Sequence, residues 1–555
     1  MTRSLAITLF ALPALLVTAP VAGAQCFEQQ LNASDAADTD VLGWCLDLDG
    51  DLFAAGAIGD DPACPLDPNC NSGSVYVFRR AGGVWSEEAK LANSDGAFGD
   101  QFGHDVAVSG DRVLVGAHLK EAGAAYVYRF DGASWSEEQK LLGSGIQNQF
   151  HFGHSVALDG EVALVGTMRD DHQGFETGSA YVFEYDGASW VERAKLVAGD
   201  AAMGDRYGRS CDLDGDVVAI GAHLHDDLVA GADAGAAYVY ERDDAGTPND
   251  PSDDTWPEAA ALRASDAIPG MVFGRSVDLS GDVLLVGAEF AQNGSAVDTG
   301  AAYLFFRTGS GWTEVQKLVA SDGLSQDRFG ISVSLDGIYA LVGARGVDGN
   351  AGAVYVFTRT ASGYIETGKL QGPNTASGDQ LGHETGVQVS GTTAVIGARF
   401  NAAAVPGGGT VYTYSLDDCL GTAECAGDPN SAGPGAVIEA SGIEAVTVGD
   451  FTLTATGGIP NKVGLFFYGP NANDVPLGNG RLCIGGGIAR LNPAGFADGA
   501  GVAVRAIDFG VAPAGSGPNA ITPGSTWRFQ YWYRDPAAGG AAFNLSNATA
   551  VTFLP

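Results

Sequence analysis

The sequence predicts an all-β protein, a seven-bladed β-propeller followed by a small β-sandwich domain. The first observation behind this prediction is a phrase that recurs seven times along the 555 residues, in which an aromatic residue or Leu followed by Gly opens one short strand and Gly-Ala ends the next. The second is that each copy holds four strand-like runs separated by turn residues. The third is that no segment carries a sustained helical period. Four-stranded units repeated in this way are typical of propellers.

The copy at residues 102–141 illustrates one predicted blade. Strand a ends at a Ser109-Gly110 turn, where Gly supplies the positive φ that a two-residue hairpin needs. The predicted strands a to d of this copy are 102–108, 112–117, 123–130 and 135–141. The seven copies begin at Leu42, Phe102, Phe152, Tyr207, Phe273, Phe329 and Leu381.

The ends of the repeat region predict how the ring closes. Strand d follows six of the copies, but the seventh copy ends in strand c (410–416) and runs into Asp-Asp-Cys. The missing strand is found at the other end, where residues 26–35 resemble strand d and the polar stretch that follows it in the other copies. We therefore expect the N-terminal strand to complete the last blade and remove its exposed edge.

Composition changes along the chain predict four segments. Arg3, the apolar stretch Leu5 to Val17 and the small residues Ala22 to Ala24 predict a signal peptide. No later stretch is long and apolar enough to predict a transmembrane segment, so we expect a protein that is secreted, extracellular or at the cell surface. The predicted segments are the signal peptide (1–24), the propeller (25–419), a Gly/Pro/Ser-rich linker (420–435) and a β-sandwich module (436–555).

The charge of the chain excludes one class of partner. The formal net charge is −38 and the sequence pI is about 4.3. Nucleic acid is not expected as a partner, because binding to phosphates requires clustered Lys and Arg. The same acidity favours solubility and attracts cations.

The repeated phrase resembles the FG-GAP repeat of the integrin α-subunit propeller, over roughly residues 26–419. The resemblance implies a seven-bladed propeller that presents its ligands and partners with one face, of the type found in secreted bacterial proteins with an appended module. Two features differ from the family pattern. The Pro of the family motif is absent, and the a→b connection is a bare turn, as at Asp159-Gly160, that lacks the oxygen ligands of a Ca²⁺ loop. The integrin metal site is therefore not carried over.

Two sets of residues are candidates for binding. The residue after each Phe-Gly should circle the mouth of the central channel and form a basic and aromatic collar for an anionic or sugar-like ligand, unless this repeat position merely tolerates large side chains. The candidate collar residues are Trp44, His104, His154, Arg209, Arg275 and His383. Loop acids could bind Ca²⁺, unless they are solvated surface charges. The candidate Ca²⁺ ligands are Asp60, Asp61, Asp170, Asp171, Asp226, Asp227 and Asp233.

Spacing and predicted topology suggest how the cysteines pair. Cys64 and Cys70 bracket a short loop, and Cys26 and Cys419 lie at the two strands that close the ring. Cys425 and Cys483 then remain as a pair for the C-terminal module. Cys45 and Cys211 fall in inner strands of distant blades, so we expect both to be free thiols.

The sequence favours a secreted, non-catalytic binding or adhesion protein that presents a loop-rich propeller face to an extracellular protein or glycan. No G-x-S-x-G, H-E-x-x-H or C-x-x-C motif supports an enzyme. Two alternatives stay open, a hydrolase or lyase that acts on an acidic or sugar polymer, and a scaffold of an envelope or matrix. The best local cluster for an enzyme or a metal is His223 and His225 beside Asp226 and Asp227.

Overall fold

The computed structural model describes most of the predicted mature chain. Described are residues 27–552 except 66, 68, 148, 245–253, 295, 310, 361–362, 417–421, 426–430, 432–435, 442–450, 478, 508, 510–513, 515–519, 523–524 and 539–542. The predicted signal peptide and the predicted Cys26–Cys419 disulfide therefore lie outside the described residues. Within the described part of the chain, no helix combines the length and apolar character needed to cross a membrane.

Seven four-stranded antiparallel sheets, here called blades 1 to 7, make up the region of the repeats. Blade 1 contains β2 (Leu46–Asp49), β3 (Leu52–Ala57), β4 (Ser74–Ala81) and β5 (Val84–Leu91). Blade 2 contains β6 (Val106–Ser109), β7 (Arg112–Ala117), β8 (Ala124–Phe130) and β9 (Trp135–Leu141). Blade 3 contains β10 (Phe152–Asp159), β11 (Val162–Thr167), β12 (Ser179–Tyr185) and β13 (Trp190–Leu196). Blade 4 contains β14 (Tyr207–Asp214), β15 (Val217–Ala222), β16 (Ala236–Glu241) and β17 (Glu258–Leu262).

Blades 5 to 7 follow the same order. Blades 5 and 6 contain β18 (Val277–Ser280), β19 (Val283–Ala288), β20 (Ala301–Thr308) and β21 (Gly311–Leu318), then β22 (Phe329–Asp336), β23 (Tyr339–Ala344), β24 (Ala353–Thr360) and β25 (Gly363–Leu370), with one helical turn α1 (Val347–Asn350) in the b→c loop of blade 6. Blade 7 contains β26 (Val387–Ser390), β27 (Thr393–Ala398) and β28 (Thr410–Ser415), and its outer strand is β1 (Phe27–Leu31).

The blades form a closed ring. The inner strands β2, β6, β10, β14, β18, β22 and β26 contact one another in this order, and β26 contacts β2. Strand β1 pairs antiparallel with β28 from Phe27↔Tyr414 to Leu31↔Val411, which is the pairing that the sequence predicts for the N-terminal strand. Apolar side chains fill the seams between adjacent blades, as in the core that joins Val77 of blade 1 to Phe102 and Val113 of blade 2.

The two glycines of the repeated phrase meet at each seam. The glycine after Phe has a positive φ, 83° at Gly153, and a Cβ added to Gly116 of the preceding blade would lie 2.1 Å from the carbonyl oxygen of Gly153. The same approach recurs at all seven seams, including the closing one, with hypothetical Cβ–O distances of 2.1 to 2.4 Å. The pairs are Gly56–Gly103, Gly116–Gly153, Gly166–Gly208, Gly221–Gly274, Gly287–Gly330, Gly343–Gly382 and Gly397–Gly43.

The Asp-Gly and Ser-Gly turns form a second connection around the ring. The side-chain oxygen before each turn glycine accepts a hydrogen bond from the N–H of the turn glycine in the next blade, for example 2.8 Å from Gly110 N to Asp49 Oδ2. The other six pairs are Ser109–Gly160, Asp159–Gly215, Asp214–Gly281, Ser280–Gly337, Asp336–Gly391 and Ser390–Gly50. The Asp or Ser before the turn glycine therefore joins adjacent blades as well as shaping its own hairpin.

The C-terminal region has two sheets that share one apolar core. The six-stranded sheet contains β29 (Thr422–Cys425), β32 (Val463–Gly469), β35 (Ala489–Arg490), β36 (Gly495–Phe496), β38 (Thr526–Arg534) and β39 (Phe543–Thr552). The three-stranded sheet contains β30 (Val437–Ser441), β31 (Thr452–Thr456) and β37 (Ala503–Ala506), beside the hairpin β33 (Asn471–Leu477) and β34 (Gly480–Gly485) and the 3₁₀ turn Pro536–Ala538. Leu453 of one sheet and Phe529 of the other belong to this core.

One predicted boundary differs from the structure. The sequence assigns residues 420–435 to a linker, but Thr422–Cys425 form β29, which pairs with β39 at Thr422↔Ala550. The run is too short and too isolated among Gly and Pro to be recognised as a strand, and its conformation depends on the edge of β39, which lies more than a hundred residues later.

The cysteines agree with the predicted pairing where the structure describes them. Cys64 and Cys70 form a disulfide bond, as predicted. Cys45 is buried, Cys211 is half-buried, and both are free thiols. Cys483 is disulfide-bonded, whereas its predicted bond to Cys425 stays a prediction.

Candidate binding face

The b→c and d→a loops meet at one end of the ring, called here the variable-loop face. Each b→c loop is hydrogen-bonded along its length to the d→a loop that leads into the next blade, for example from Gly204 N to Phe175 O at 3.0 Å and from Gln326 N to Val297 O at 3.1 Å. Short parallel bridges such as Gly178↔Tyr207 continue these contacts into the sheets. The loops of this face are therefore held by backbone hydrogen bonds rather than by side chains alone.

Exposed apolar side chains are concentrated on this face. Among the described residues of the propeller, the opposite end exposes only Val84 and Ile338, and the outer strands expose Val315 and Ile365. The large apolar side chains exposed in the variable-loop face, here called the apolar tips, are Phe98, Leu119, Leu142, Phe175, Met203, Leu228, Val229, Val297, Leu324 and Phe400. Exposed apolar side chains at this density make the variable-loop face the candidate for contact with another molecule.

The most prominent tip belongs to blade 4. Leu228 and Val229 are 104% and 97% exposed. Their turn is fixed by the backbone bonds between Asp227 and Gly231, at 3.1 and 2.9 Å, and by Asp227 Oδ1, which accepts the N–H groups of Val229 and Ala230 at 2.7 Å. A rigid loop thus holds two apolar side chains in water, which lowers the entropy lost when a partner covers them.

The predicted collar lies around the channel mouth, as the repeat position implies. The rings of His104 and His154 are 4.6 Å apart, and Trp44 lies 6.0 Å from His104 and 6.4 Å from His383. Arg209 and Arg275, like His104 and His154, line the cavity inside the ring. The structure therefore brings the six predicted residues to one place, while ligand binding by them stays a prediction.

A second collar, which the sequence analysis missed, lies beside the first. It consists of the residue after each Gly-Ala or Gly-Thr, namely Ile58, His118, Met168, His223, Glu289, Arg345 and Arg399. Its members contact the first collar: the ring of His118 is 3.8 Å from that of His104, and both Arg345 Nη1 and Arg399 Nη2 lie 2.9 Å from His383 Nε2. The sequence contains a pattern that could have identified this second collar. The collar position varies among the copies, whereas the residue two positions before it is always glycine.

Glu384 occupies the centre of the mouth. From Leu381 to Gly391 the seventh copy has two residues more than the other copies, and Glu384 adopts a positive φ of 47°. Its Oε1 lies 3.0 Å from Arg275 Nη2 and 3.4 Å from Arg209 Nη2, so a carboxylate of blade 7 reaches across to blades 4 and 5. Burial would raise the pKa of Glu384, but Arg209 and Arg275 outweigh it and hold the pKa well below its usual range.

Burial sets the charge of the other groups at the mouth. It lowers the pKa of His104 and His151 to about 4, and it holds the pKa of His118, His154, His223 and His383 well below the ordinary value. These imidazoles are therefore neutral at neutral pH. Burial, with neighbouring guanidinium groups, also lowers the pKa of Arg209 and Arg399 to about 10, which leaves both charged.

A cavity of about 390 Å³ continues from the mouth along the inner strands. Four of the carboxyl groups that line it, those of Asp47, Asp105, Asp212 and Asp278, each accept a backbone N–H of the next blade, at 2.6 Å from Val108 N to Asp47 Oδ2 for instance. Burial raises the pKa of Asp47 and Asp105 to about 7 and of Asp212 to about 6, and that of Asp278 well above its ordinary value. These four acids thus accept N–H groups at the free edge of the inner strands, and burial favours their protonated form.

These raised pKa values predict the effect of Asp47→Asn. A carboxyl whose pKa rises from 3.8 to about 7 on folding binds more protons in the folded state, so its contribution to stability is lost as the pH rises from about 4 to 7. We expect Asp47→Asn to raise the free energy of unfolding at pH 8 by about 1–3 kcal/mol and to leave it unchanged at pH 4. Denaturant unfolding at both pH values measures this, with the exposed Asp51→Asn as the control. Equal gains at the two pH values would contradict the prediction.

The candidate Ca²⁺ ligands lie in separate b→c loops. Asp61, Asp171 and Asp226 each accept a backbone N–H of their own loop, at 2.6, 2.7 and 2.9 Å. Asp60 and Asp170 bind Lys90 and Lys195 at 2.5 and 2.6 Å. Asp227 accepts the N–H groups of Val229 and Ala230, as described above. Asp233, in the same loop, has a positive φ of 53°. In the part of the chain that the structure describes, no three His, Cys, Asp or Glu side chains are arranged to hold a metal ion.

The cluster considered for an enzyme divides into two environments. His225 Nδ1 lies 3.0 Å from Asp205 Oδ2, and its Nε2 lies 2.8 Å from Arg263 Nη2. His223, which is 8% exposed, instead faces the channel mouth, and its buried Nδ1 has no hydrogen-bond partner among the described residues. The two histidines are therefore not brought together in one site.

The repeats match a known family model. A family model described as FG-GAP repeat matches residues 27–78, 85–128, 135–183, 190–240, 256–305 and 312–357, which together exceed half of the chain. The six matched segments fall on β1 to β24 and each spans one seam between blades. No curated protein matches the chain.

Proposed function

The chain belongs to the FG-GAP repeat family, and from this premise we propose that it is a non-catalytic extracellular binding protein whose variable-loop face docks another protein. The observation that carries the proposal is the concentration of large exposed apolar side chains in the loops of this face, ten against two at the opposite end among the described residues. Protein interfaces concentrate their binding energy in a few apolar or aromatic anchors that enter pockets of the partner. Leu228 and Val229 have the exposure and the rigid support that such anchors require.

Charge defines the chemistry of the expected partner. In the loops of this face Asp and Glu outnumber Lys and Arg, in keeping with the net charge of −38. A partner that offers apolar pockets rimmed by basic residues would be steered to the face, and association would slow as salt increases. Two copies of this face would repel each other, so the proposal is a different protein rather than a second copy of the chain.

Location outside the cell is part of the proposal. The predicted signal peptide and the Cys64–Cys70 disulfide support it, because disulfides persist in oxidising compartments. The non-catalytic role is supported by His225, which is engaged by Asp205 and Arg263 instead of being directed to an open cleft.

The test uses a variant that changes the apolar tips without changing charge. Phe175, Met203, Leu228 and Val229 are replaced by Ser, and the control replaces Val84 and Ile338 of the opposite end by Ser. The probe is a labelled amphipathic helical peptide of Leu and Lys, with a Leu and Glu peptide of the same pattern for comparison. We expect the tip variant to bind the basic peptide at least about tenfold more weakly than the unchanged protein in fluorescence anisotropy.

Three outcomes would count against the proposal. The tip variant could bind as well as the unchanged protein, the opposite-end variant could lose as much affinity as the tip variant, or the acidic peptide could bind as well as the basic one. In a parallel glycan array, binding that survives in the tip variant would favour a glycan ligand instead.

A further inference from the structure

Guanidinium groups outnumber carboxylates in the ion-paired cluster around Glu289 and Glu384 at the channel mouth. Four guanidinium groups, Arg209, Arg275, Arg345 and Arg399, meet two carboxylates, Glu289 and Glu384. Arg275 Nε lies 2.9 Å from Glu289 Oε1, and Arg345 Nη2 lies 3.3 Å from Glu289 Oε2. Asp105, which also interacts with Arg209, is partly protonated near neutral pH because burial raises its pKa to about 7. Among these four guanidinium groups and two carboxylates the positive groups exceed the negative ones by two, in a protein whose net charge is −38.

Arg209 and His223 retain hydrogen-bonding capacity at the channel mouth. Arg209 has the 3.4 Å ion pair with Glu384, and its side chain is 13% exposed. His223 is more than nine-tenths buried beside Arg209 and Arg275, and its Nδ1 is unpartnered in the same part of the chain. A buried polar atom without a partner is costly, so the unpartnered Nδ1 of His223 indicates a missing hydrogen-bond partner beside the guanidinium groups.

Glu384 identifies the kind of acceptor that fits. Arg209 and Arg275 approach the same oxygen, Oε1, of this carboxylate, which reaches them from the other side of the ring. A tethered oxyanion therefore already occupies part of the space between the two guanidinium groups. Guanidinium forks bind the paired oxygens of carboxylate, sulfate and phosphate with charge-assisted hydrogen bonds.

We propose that Arg209, Arg275 and His223 form a binding site for a small dianionic oxyanion, the sulfate or phosphate group of a ligand, at the mouth of the channel. A dianion pairs with both guanidinium groups, and the neutral imidazole of His223 donates one hydrogen bond in the tautomer that carries its proton on Nδ1. Glu384 competes for the same donors and limits the affinity. The site goes beyond the docking of a protein on the apolar tips and does not depend on it.

The test measures the full-length protein by calorimetry and by its melting temperature in sodium sulfate, sodium phosphate and sodium chloride at equal ionic strength. We expect sulfate or phosphate, but not chloride, to bind and to raise the melting temperature. Arg209→Gln should weaken this binding at least about tenfold, and Glu384→Gln should strengthen it at least about tenfold, since a competing charge is removed. Arg129→Gln, on an exposed arginine of blade 2, should leave it unchanged.

The possible results distinguish anion binding at the channel mouth from protein docking on the apolar tips. A response to sulfate and phosphate equal to that of chloride in both the unchanged protein and Glu384→Gln would overturn the proposal, as would full binding by Arg209→Gln. Preference for one of the two oxyanions identifies the ligand group as a sulfate or a phosphate. If Glu384→Gln fails to fold, Arg209→Gln still decides, because Arg275 continues to pair with Glu384. The tip variant should retain anion binding, whichever way the peptide experiment ends.

Discussion

The substitution Gly287→Ala is expected to lower the free energy of unfolding by about 3 kcal/mol or more. A Cβ at this position would lie 2.2 Å from the carbonyl oxygen of Gly330 in the next blade and 2.3 Å from Ser276 Oγ. Gly330 is itself tightly packed, since a Cβ added to it, at its φ of 87°, would lie 2.2 Å from Ala301 O and 3.0 Å from Ala288 N. The added methyl group therefore has to separate two blades. Thermal or denaturant unfolding measures the loss.

Gly309→Ala is the matched control in the same blade. A Cβ on Gly309 meets nothing within 4 Å, so we expect a change within about 0.5 kcal/mol. Because the Gly–Gly approach recurs at every seam, Gly116→Ala and Gly397→Ala should destabilise as Gly287→Ala does. If Gly287→Ala were as stable as Gly309→Ala, the repeated glycines would not be seam contacts, and the physical explanation of the repeated phrase would be wrong.

The seam contacts explain why the fold could be predicted from the sequence. Each repeat must present a glycine at Phe-Gly and another at Gly-Ala to the next repeat, so the constraint appears as the same letters at the same spacing. The strand pattern between them follows from alternation and turn residues, which are local. The collar could be predicted in the same way, because a repeat position fixed on the ring places Trp44 and His104 at the mouth without knowledge of their contacts.

The chemistry of the mouth could not be predicted, because it depends on contacts across the ring. Arg275 and Glu384 are 109 residues apart, and nothing local in either copy indicates the partner. The two additional residues of the seventh copy were the visible signal, but their consequence depends on the direction in which Glu384 points. The acids of the turns had a local explanation, the hairpin, that concealed their second contact, such as Asp214 with Gly281 of the next blade.

Removal of the N-terminal strand is expected to have an effect of comparable size. A chain that begins at Ala36 lacks β1, so β28 becomes an exposed edge and the contacts of Ser34 with Glu87 and of Asp35 with Tyr76, at 2.8 and 2.7 Å, are lost between blades 7 and 1. We expect the melting temperature to fall by about 10 °C or more and the protein to associate through the free edge. Calorimetry and light scattering after size-exclusion chromatography measure the two effects.

A peptide added in trans distinguishes loss of the strand from general damage. The peptide of residues 27–35 should restore both the melting temperature and the monomeric state, because it supplies the strand together with Ser34 and Asp35. The same peptide with Leu31→Asp should not, since Leu31 is buried in the core shared by blades 7 and 1. A truncated chain that melts at the original temperature and stays monomeric would mean that the ring does not depend on β1. Closure would then rest on the contact of β26 with β2, the Gly397–Gly43 seam and the hydrogen bond from Gly50 N to Ser390 Oγ.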